Sequence, residues 1–494
     1  VTEMALRMLA TSLCVVGAYA WGLSTPAGDN DKITDLPGLT GESLTMFSGY
    51  LSSSDLKEKQ IFYWLIEAAD SPESAPLLWW SNGGPGCSGL LGLMSEHGPL
   101  RPTADSDLEL NPYSWHFKAN VLYVEQPAGV GFSYSDDPKD LKTGDAQAAI
   151  DNRLAIRAFL TKHPRFAKHP LFISSESYGG HYIPTLADEI VRDVVQPPLN
   201  FRGFLVGNPY VDPVENAIGL YGTWHGKQLV PSPLFWEWQA KCSNQSLAAR
   251  AADKSLRMNC DAIETQLEAH VGPLNPYALD WPVCLKTGEL HRRTFMARMR
   301  ALKEGRDVLA AANPPQYEPC EDNYVHKYLN RDDVRTAIHA RPHTKWQECS
   351  DKVEYDPHSL EVSTEPLYEK LIALNALTIL IFSGDDDSVC GTMGTQTWLW
   401  KAFDPPKSLD HYWQHWRDAD GQVGGYTTQF DGFNFTTVHS AGHEVPEYEP
   451  ARALLMLDTF FAAAKANKPF FPETSDDAHL LKDESRTQPS VAGF

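Results

Sequence analysis

The chain has 494 residues and a formal net charge of −22 at pH 7, with 42 Lys and Arg against 64 Asp and Glu. This length suffices for two or three average domains, or for one α/β sheet with an inserted cap. Hydrophobic residues at 42% and aromatic residues at 11% exclude a disordered or fibrous protein. Because so negative a surface repels phosphate backbones and anionic lipid, we expect no nucleic acid partner.

The first residues have the pattern of a targeting signal. Arg7 precedes an apolar run, and the small-x-small triplet that ends at Ala20 predicts a signal peptide over residues 1–20. A buried helix is the alternative for this stretch. The run is too short to span a membrane, and no later apolar run reaches the roughly 20 residues of a spanning helix. We therefore expect no membrane span and a protein of the secretory pathway, either extracellular or in a vacuole or lysosome.

Short apolar runs alternate with stretches of helical periodicity between residues 61 and 207, which is typical of a mostly parallel α/β sheet. The predicted strands of this part are 61–66, 77–80, 120–124, 171–174 and 202–206, and the predicted helices are 146–160 and 182–194. The same rhythm returns later, with predicted strands at 377–382 and 433–438 and a closing helix at 451–465.

Strand signals nearly vanish between residues 209 and 320, where Trp, Cys and helix-forming residues increase. We interpret 209–320 as a cap inserted between two parts of one sheet domain, 33–208 and 321–469. A basic stretch at 291–306 is either a solvated loop or helix, or a protease-sensitive linker, near 286–316, whose excision leaves two chains. The tail, 473–494, is predicted to be disordered because it has little to bury.

Seven of the eight cysteines remain once the predicted signal, which contains Cys14, is removed. No CxxC pair or Cys/His ligand spacing is present, so we expect disulfides and no metal site. The odd number leaves one free thiol. Two sequons, at Asn244 and Asn434, would carry glycans if their loops face solvent.

A serine stands between a buried-looking strand and a helix in the segment 171–181. The small neighbours Ser175 and Gly179 permit the tight strand-to-helix turn that holds a nucleophilic hydroxyl clear of a sheet. Ser177 is therefore the candidate nucleophile, with an ordinary turn as the alternative.

Candidate partners follow Ser177 in the order nucleophile, acid, histidine that α/β-hydrolases use. Three aspartates, 385–387, come after the strand predicted at 377–382, and His443 comes after the strand predicted at 433–438. Both sites lie beyond the carboxyl ends of strands, where open α/β sheets place their chemistry. Order and position together support an activated serine.

A glycine-rich loop, residues 80–89, follows the strand predicted at 77–80. Its backbone N–H groups would form an oxyanion hole together with the N–H of Tyr178. A phosphate-binding loop is the alternative, but the sequence has neither the Walker lysine nor a GxGxxG helix entry.

Six motifs in order make the chain resemble the serine carboxypeptidases, a family of acid exopeptidases with the α/β-hydrolase fold. They are W-S-N-G-G-P-G-C-S, E-H-G-P, E-Q-P-A-G-V-G-F-S-Y-S, S-E-S-Y-G-G-H-Y-I-P, S-G-D-D-D-S-V-C and A-G-H-E-V-P, and the resemblance extends from about residue 33 to residue 469. Two positions depart from the family pattern, because Ser175 replaces a glycine and Ser81 replaces an apolar residue.

The resemblance implies an α/β-hydrolase fold, with a mostly parallel central sheet and an inserted helical cap, and it also implies the site residues. The triad would be Ser177, Asp387 and His443, and the oxyanion hole would be formed by Gly84 and Tyr178. The resemblance favours Asp387 over its neighbours because it stands three residues before Cys390, as the acid does in family members with a cysteine there, and Asp385 matches a structural aspartate of the family.

The same resemblance assigns recognition of a peptide's terminal carboxylate to four residues, Asn82, Gly83, Glu96 and Glu176. Two close glutamates that share a proton can donate a hydrogen bond to a carboxylate. Glu444 takes the position that lines the pocket of the leaving residue, where a carboxylate would favour Lys or Arg. The implied disulfides are Cys87–Cys349, Cys242–Cys260 and Cys284–Cys320, which leaves Cys390 as the free thiol.

The implied activity is release of C-terminal amino acids from peptides or proteins at acid pH, through an acyl-enzyme and without a cofactor. An acyltransferase with the same triad is the alternative, although it has no need of a carboxylate clamp. A protective or binding scaffold is the rival from another class. Whether the protein forms a homodimer is left open.

Overall fold

A computed structural model describes residues 27–41, 44–281, 322–406 and 408–466. Its strands are β1 Met46–Leu51, β2 Lys59–Ile66, β3 Leu77–Ser81, β4 Leu100–Pro102, β5 Leu108–Leu110, β6 Asn120–Val124, β7 Tyr134–Ser135, β8 Lys142–Thr143, β9 Leu171–Glu176, β10 Phe201–Gly207, β11 Glu354–Tyr355, β12 Thr378–Gly384, β13 Gln414–Arg417, β14 Val423–Phe430 and β15 Phe433–Val438. Its α-helices are α1 Asp145–Lys162, α2 Gly179–Val191, α3 Pro213–Gly226, α4 Ser232–Lys241, α5 Leu247–Ala252, α6 Lys254–Val271, α7 Asp322–Leu329, α8 Asp332–Ala337, α9 Glu365–Ala373, α10 Thr392–Ala402, α11 Leu409–Tyr412, α12 Val445–Tyr448 and α13 Pro450–Ala466.

One mixed sheet organises the described residues, in the order β1-β2-β6-β3-β9-β10-β12-β15-β14-β13, with β7 paired to β2. The pairs from β6 to β15 are all parallel, whereas the pairs at both flanks are antiparallel. The predicted α/β-hydrolase architecture, with a mostly parallel central sheet, is therefore confirmed at the level of sheet topology. Parallel strands in such a sheet end at one edge, and this edge positions the site.

Both faces of the sheet are covered, which explains the nearly continuous apolar runs of its central strands. In β2 and β3, Trp64 and Trp80 point into one layer, whereas Tyr63 and Trp79 point into the other. The first layer contains α7, α8 and α13, and the second contains α1, α2, α9 and α10. Side-chain alternation along each strand thus builds two cores from one sheet.

The seven predicted strands occur within two residues of their expected ends, and the three predicted helices within three. The largest shift is in α2, which begins at Gly179 instead of residue 182. The pair Gly179-Gly180 is a poor helix former by propensity, but close packing requires it, since a Cβ on Gly180 would lie 2.2 Å from the Tyr210 carbonyl oxygen. At the other end, the apolar pattern predicted a helix as far as Val194. The helix ends at Val191, and Val194 is exposed in the loop that follows.

Residues 209–281 form helices α3 to α6 and contain no strand among the described positions. Helices α3, α4 and α6 share a separate apolar cluster that includes Trp224, Trp238 and Leu267. The Cys242–Cys260 disulfide joins the end of α4 to α6. The predicted boundaries of cap and core stay predictions. The signal peptide, the linker, the pair Cys284–Cys320 and the tail lie outside the described residues.

The two sequons have different environments. Asn244 lies in an exposed turn after α4, so glycosylation there stays a prediction. Asn434 is a correction to the expectation from the sequence, because it lies inside β15, paired between β12 and β14, and is only 7% exposed. A glycan would have no room in the folded sheet.

Among the residues that the structure describes, none of the helices has the length and apolar character of a membrane span.

A buried carboxyl group fixes the end of β6. Glu125 is fully buried and accepts hydrogen bonds from the Ser88 hydroxyl, the Trp346 indole N–H at 2.8 Å and the Phe132 N–H at 2.6 Å. Burial raises the pKa of Glu125 to about 7, although these hydrogen bonds oppose the shift. Between about pH 4.5 and pH 7 the folded protein therefore keeps a proton that the unfolded chain releases.

We predict that this carboxyl group makes the protein less stable as pH rises. Its contribution is complete below about pH 4.5 and is lost as pH rises through 7, by about 3 kcal/mol in the free energy of unfolding. Glu125→Gln should therefore reduce the fall in thermal midpoint between about pH 5 and about pH 8 in calorimetry. Glu109→Gln, at an exposed position of β5, is the matched control. An unchanged pH dependence in Glu125→Gln would contradict the assignment.

Candidate active site

Ser177 lies in a tight turn between β9 and α2. Its φ is +60°, a left-handed conformation that a residue other than glycine rarely adopts. The turn is held by the Ser177 N–H, which donates to the Gly207 carbonyl at 3.0 Å, and by the Tyr210 N–H, which donates to the Ser177 carbonyl at 2.8 Å. Ser177 is partly exposed while Glu176 and Tyr178 on either side are buried. The backbone thus presents one hydroxyl at the edge of the sheet, as a nucleophile elbow does.

The departure from the family pattern at Ser175 is accommodated by Gly179. A Cβ on Gly179 would lie 2.4 Å from Ser175 Oγ, so the serine occupies space that this glycine leaves free. Ser175 is fully buried, and the turn keeps its geometry.

Asp387 and His443 meet beyond the ends of β12 and β15. His443 Nδ1 lies 2.7 Å from Asp387 Oδ2, and both side chains are buried. The neighbouring aspartates have other partners: Asp386 binds the Lys227 ammonium at 2.6 Å, and Asp385 binds His439 Nδ1 at 2.7 Å. Of the three aspartates, the structure brings only Asp387 to His443.

Asn208, which the sequence analysis did not single out, supports the same pair. It follows β10 with a positive φ of 38°, and its Nδ2 donates to Asp387 Oδ2 at 2.8 Å. Its Oδ1 accepts from the Gly384 N–H at 3.0 Å, which anchors the amide. The Val389 N–H also donates to Asp387, at 2.6 Å. The only signal in the sequence was a Gly-Asn pair at the end of a predicted strand.

Two opposing effects shift the pKa of the His443 imidazole. Burial lowers its pKa, but the Asp387 charge and hydrogen bond outweigh burial and raise it to about 9. Among the described residues, His443 Nε2 has no hydrogen-bond partner. The Ser177 hydroxyl lies near the Cys390 thiol, which is buried and free of a disulfide.

The glycine-rich loop lies directly against the serine turn. A Cβ on Gly83 would lie 2.6 Å from the Tyr178 nitrogen, and Gly84 has a positive φ of 113°. A side chain at Gly83 would therefore separate the loop from the Tyr178 N–H. The Cys87–Cys349 disulfide, as predicted, ties this loop to the segment before β11.

The Asn82 amide lies between two buried carboxyl groups. Its Oδ1 accepts from the Trp80 indole N–H at 2.8 Å and from the Gly92 N–H at 3.2 Å. These two donors fix the orientation of the amide, because its oxygen must face them. Its Nδ2 then donates to Glu96 at 2.7 Å and to Glu176 at 2.6 Å.

Glu96 and Glu176 are close enough to form a hydrogen bond with each other, yet neither has a proton to donate when ionised. Burial raises the pKa of both groups, and the Glu96 charge raises that of Glu176 further. No donor among the described residues reaches Glu96 Oε2. A shared proton satisfies this atom and relieves the repulsion, so the pair holds at least one proton well above the usual pH range of a carboxyl group.

Glu444 is partly buried immediately after His443. Burial raises its pKa well above the usual value, while the His443 charge opposes the shift and the charges of Glu447, Glu96 and Asp387 add to it. Its charge in turn raises the pKa of Glu176, so Glu444 lies near the carboxyl pair.

A segment following α6 joins the acid and histidine loops. The Tyr277 carbonyl accepts from the His443 N–H at 2.7 Å, and the Pro276 carbonyl accepts from the Ser388 N–H at 3.0 Å. The Asp280 N–H donates to Asp386 at 2.9 Å, and the Tyr277 ring packs edge-on against the imidazole. The sequence analysis missed this segment, which has no recognisable motif. The described residues contain no cluster of three or more potential metal ligands.

Comparison with known proteins gives one consistent family. The family model described as serine carboxypeptidase matches residues 37–463. Serine carboxypeptidase 24 of Arabidopsis thaliana is 35% identical over 446 residues, which covers 88% of this chain and 92% of the relative. Serine carboxypeptidase-like 26 of the same organism is 35% identical over 441 residues, covering 87% and 93%.

Among solved structures, the crystal structure of Kex1(delta)p, a prohormone-processing carboxypeptidase from Saccharomyces cerevisiae, has a TM-score of 0.71 at 22% identity. It covers 89% of this chain and 97% of the yeast chain, and it supports the fold. The family model and the plant relatives together show that the chain belongs to the serine carboxypeptidase family, hydrolases that act on the C-termini of peptides.

Proposed function

We propose that the protein releases C-terminal amino acids from peptides at acid pH through an acyl-enzyme on Ser177, with a preference for basic terminal residues. The observation that carries this proposal is the buried group of Asn82, Glu96 and Glu176 beside the serine turn. The two disulfides support a place in the secretory pathway, because disulfides persist in oxidising compartments.

The proposed reaction assigns one task to each member of the triad. His443 Nε2 takes the proton of Ser177 as Oγ attacks the last peptide carbonyl, and it returns this proton to the leaving amine. The Asp387 carboxylate accepts a hydrogen bond from His443 Nδ1–H. Asn208 and backbone N–H groups fix the position of this carboxylate. The N–H groups of Gly84 and Tyr178 stabilise the oxyanion, and water then hydrolyses the acyl-enzyme in the same way.

The carboxyl pair explains how a site of negative charge binds a negative terminus. A protonated glutamate donates a hydrogen bond and the Gly83 N–H supplies a further donor, while the two N–H groups of Asn82 hold the two glutamates in place. Since the pKa values of Glu96 and Glu176 are raised, the proton is present at acid pH and is lost as pH rises. Above that pH the clamp repels its ligand.

Acid pH also affects the base. The charges of Glu444 and Glu96 contribute to the raised pKa of His443. Protonation of these glutamates removes both contributions, so the imidazole loses its proton more readily than it would beside ionised neighbours. An acyltransferase would use the same triad, but an acyl donor without a free carboxylate does not need the clamp.

The first prediction tests the activity itself. The protein should release the terminal amino acid from a blocked dipeptide at acid pH, and Ser177→Ala should reduce kcat by at least about a thousandfold because no nucleophile remains. Ser255→Ala, at an exposed position of α6, is the matched control and should keep wild-type kcat. No release by the wild-type protein, or release by Ser177→Ala at the wild-type rate, would refute the proposal.

The second prediction concerns the clamp. For the free-acid dipeptide, kcat/KM should fall as pH rises towards neutral, whereas for the C-terminal amide it should not, because the amide does not need the carboxyl proton. Glu176→Gln supplies a permanent N–H donor and should flatten the free-acid profile. The measurement is kcat/KM against pH for both substrates with both proteins. Identical wild-type profiles for acid and amide would show that the pair does not read the carboxylate.

The third prediction concerns the leaving residue. A partly desolvated pair between ionised Glu444 and a Lys or Arg side chain is worth about tenfold to a hundredfold in specificity. Because the pKa of Glu444 is raised, this preference should strengthen as pH rises and the carboxyl group ionises. Glu444→Met should abolish the preference, and the isosteric Glu444→Gln should remove its pH dependence. If Glu444→Met keeps the wild-type ratio of kcat/KM between substrates with basic and with aliphatic terminal residues, Glu444 does not contact the terminal side chain.

A further inference from the structure

The carboxylate of Asp145 lies close to the serine turn and has no role in the reaction proposed above. Asp145 is the first residue of α1, at the end of a short parallel pairing of β8 with β11. An acidic residue is common at this position, because a helix N-terminus carries a partial positive charge. The side chain is 16% exposed, so most of it is removed from water.

Three side chains converge on this carboxylate. Oδ1 accepts from the Tyr178 hydroxyl at 2.8 Å and from the Tyr355 hydroxyl at 2.7 Å. Oδ2 lies 2.8 Å from His181 Nδ1. Tyr178 and His181 are both buried, so their polar atoms depend on Asp145 in place of water.

The partners of Asp145 belong to an aromatic cluster that contacts the turn and the loop of the proposed oxyanion hole. Tyr178 supplies one N–H, and its ring stacks on the His181 ring with centroids 4.7 Å apart. The rings of Tyr182 and Tyr178 form a T-shaped contact with centroids 5.1 Å apart, and the Tyr182 hydroxyl accepts from the Gly86 N–H at 3.1 Å in the glycine-rich loop. The aromatic cluster therefore connects the carboxylate to the turn and to the loop.

A carboxylate is suited to this task because it can accept from several donors at once. The backbone of the turn is held by the hydrogen bonds of Ser177 with Gly207 and Tyr210, and Tyr178 directly follows the residue of strained φ. Fixing the far end of its side chain limits rotation of the peptide that carries the N–H. An oxyanion donor stabilises the transition state only if it is held in place before the charge develops.

We propose that Asp145 is a positioning residue, which holds Tyr178 through its hydroxyl so that the Tyr178 N–H points at the developing oxyanion. This inference rests on the proposed function, which makes that N–H an oxyanion donor. Asp145 does not touch the substrate, so it should affect kcat much more than KM.

The test compares Asp145→Ala with Asp145→Asn in the full-length protein. We expect Asp145→Ala to lower kcat for the blocked dipeptide by about tenfold to a hundredfold, less than the loss of a whole oxyanion donor, with KM within about threefold. Phosphonylation of Ser177 by a serine-directed reagent, measured by mass spectrometry, should slow by a similar factor because its P–O group uses the same donors. Asp145→Asn should restore kcat to within about threefold, since its Oδ1 still accepts from both tyrosines and its Nδ2 donates to the other tautomer of His181.

Asp356→Ala is the matched control. This exposed aspartate follows Tyr355 directly and caps a short turn by accepting from the His358 N–H, so kcat should not change. Tyr178→Phe removes only the hydroxyl that Asp145 holds. Combined with Asp145→Ala, it should lower kcat by less than the product of the single effects, because both changes break one contact.

Wild-type kcat and phosphonylation in Asp145→Ala would overturn the proposal, as would a raised KM with unchanged kcat. If Asp145→Ala does not fold, Tyr178→Phe decides, and a wild-type kcat in that variant would overturn it. If the wild-type protein releases no amino acid, the proposed function fails, and equal phosphonylation rates of wild type and Asp145→Ala would separately overturn the role of Asp145.

Discussion

The site depends on one constraint: two carboxyl groups are buried side by side, with a single amide between them. Glu96 and Glu176 cannot both be ionised without severe repulsion, and Asn82 can donate only one N–H to each. Because Trp80 and Gly92 hold the amide oxygen, rotation of Asn82 offers no escape. The pair must therefore keep a proton. In the proposed function this proton forms a hydrogen bond with the terminal carboxylate of the substrate, although the net charge of the protein is −22.

The sheet explains why these groups meet. Five neighbouring parallel strands, β3, β9, β10, β12 and β15, end at one edge, and each is followed within a few residues by one part of the site. In that order the strands lead to Asn82, Ser177, Asn208, Asp387 and His443. The apolar layers on both faces fix the strands, and the polar groups are confined to the turns beyond them. The geometry of the candidate site thus follows from the register of the sheet, while the segment after α6 bridges the loops that carry Asp387 and His443.

Much of this arrangement could be predicted from the sequence, because apolar periodicity and turn residues are local signals. The strands that carry the site, the turn at Ser177 and the disulfides Cys87–Cys349 and Cys242–Cys260 agree with expectation. The observed start of α2 differs from the predicted one. In the sequence, a glycine pair that close packing requires looks the same as a glycine pair in a loop. Asn434 looked like a surface sequon, because a motif of three residues contains no information about burial.

The groups that the sequence did not reveal act through contacts between distant parts of the chain. Asn208 reaches Asp387 across 179 positions, and Asp145 reaches Tyr355 across 210. Their residue types are common in loops and at helix starts, so nothing local distinguishes them from ordinary caps. Only the assembled sheet shows that Asn208 holds Asp387, the proposed triad acid, and that Asp145 holds the Tyr178 side chain beside Ser177, the proposed nucleophile.

The shared proton is the central claim, and proton uptake on ligand binding tests it most directly. Calorimetric titration of Ser177→Ala with a blocked dipeptide, in buffers of different ionisation enthalpy, counts the protons taken up without turnover. The account predicts uptake that grows towards about one proton per site as pH rises through the ionisation of the pair, and none with the C-terminal amide. Binding of the free acid without proton uptake at any pH, or equal uptake with the amide, would contradict it.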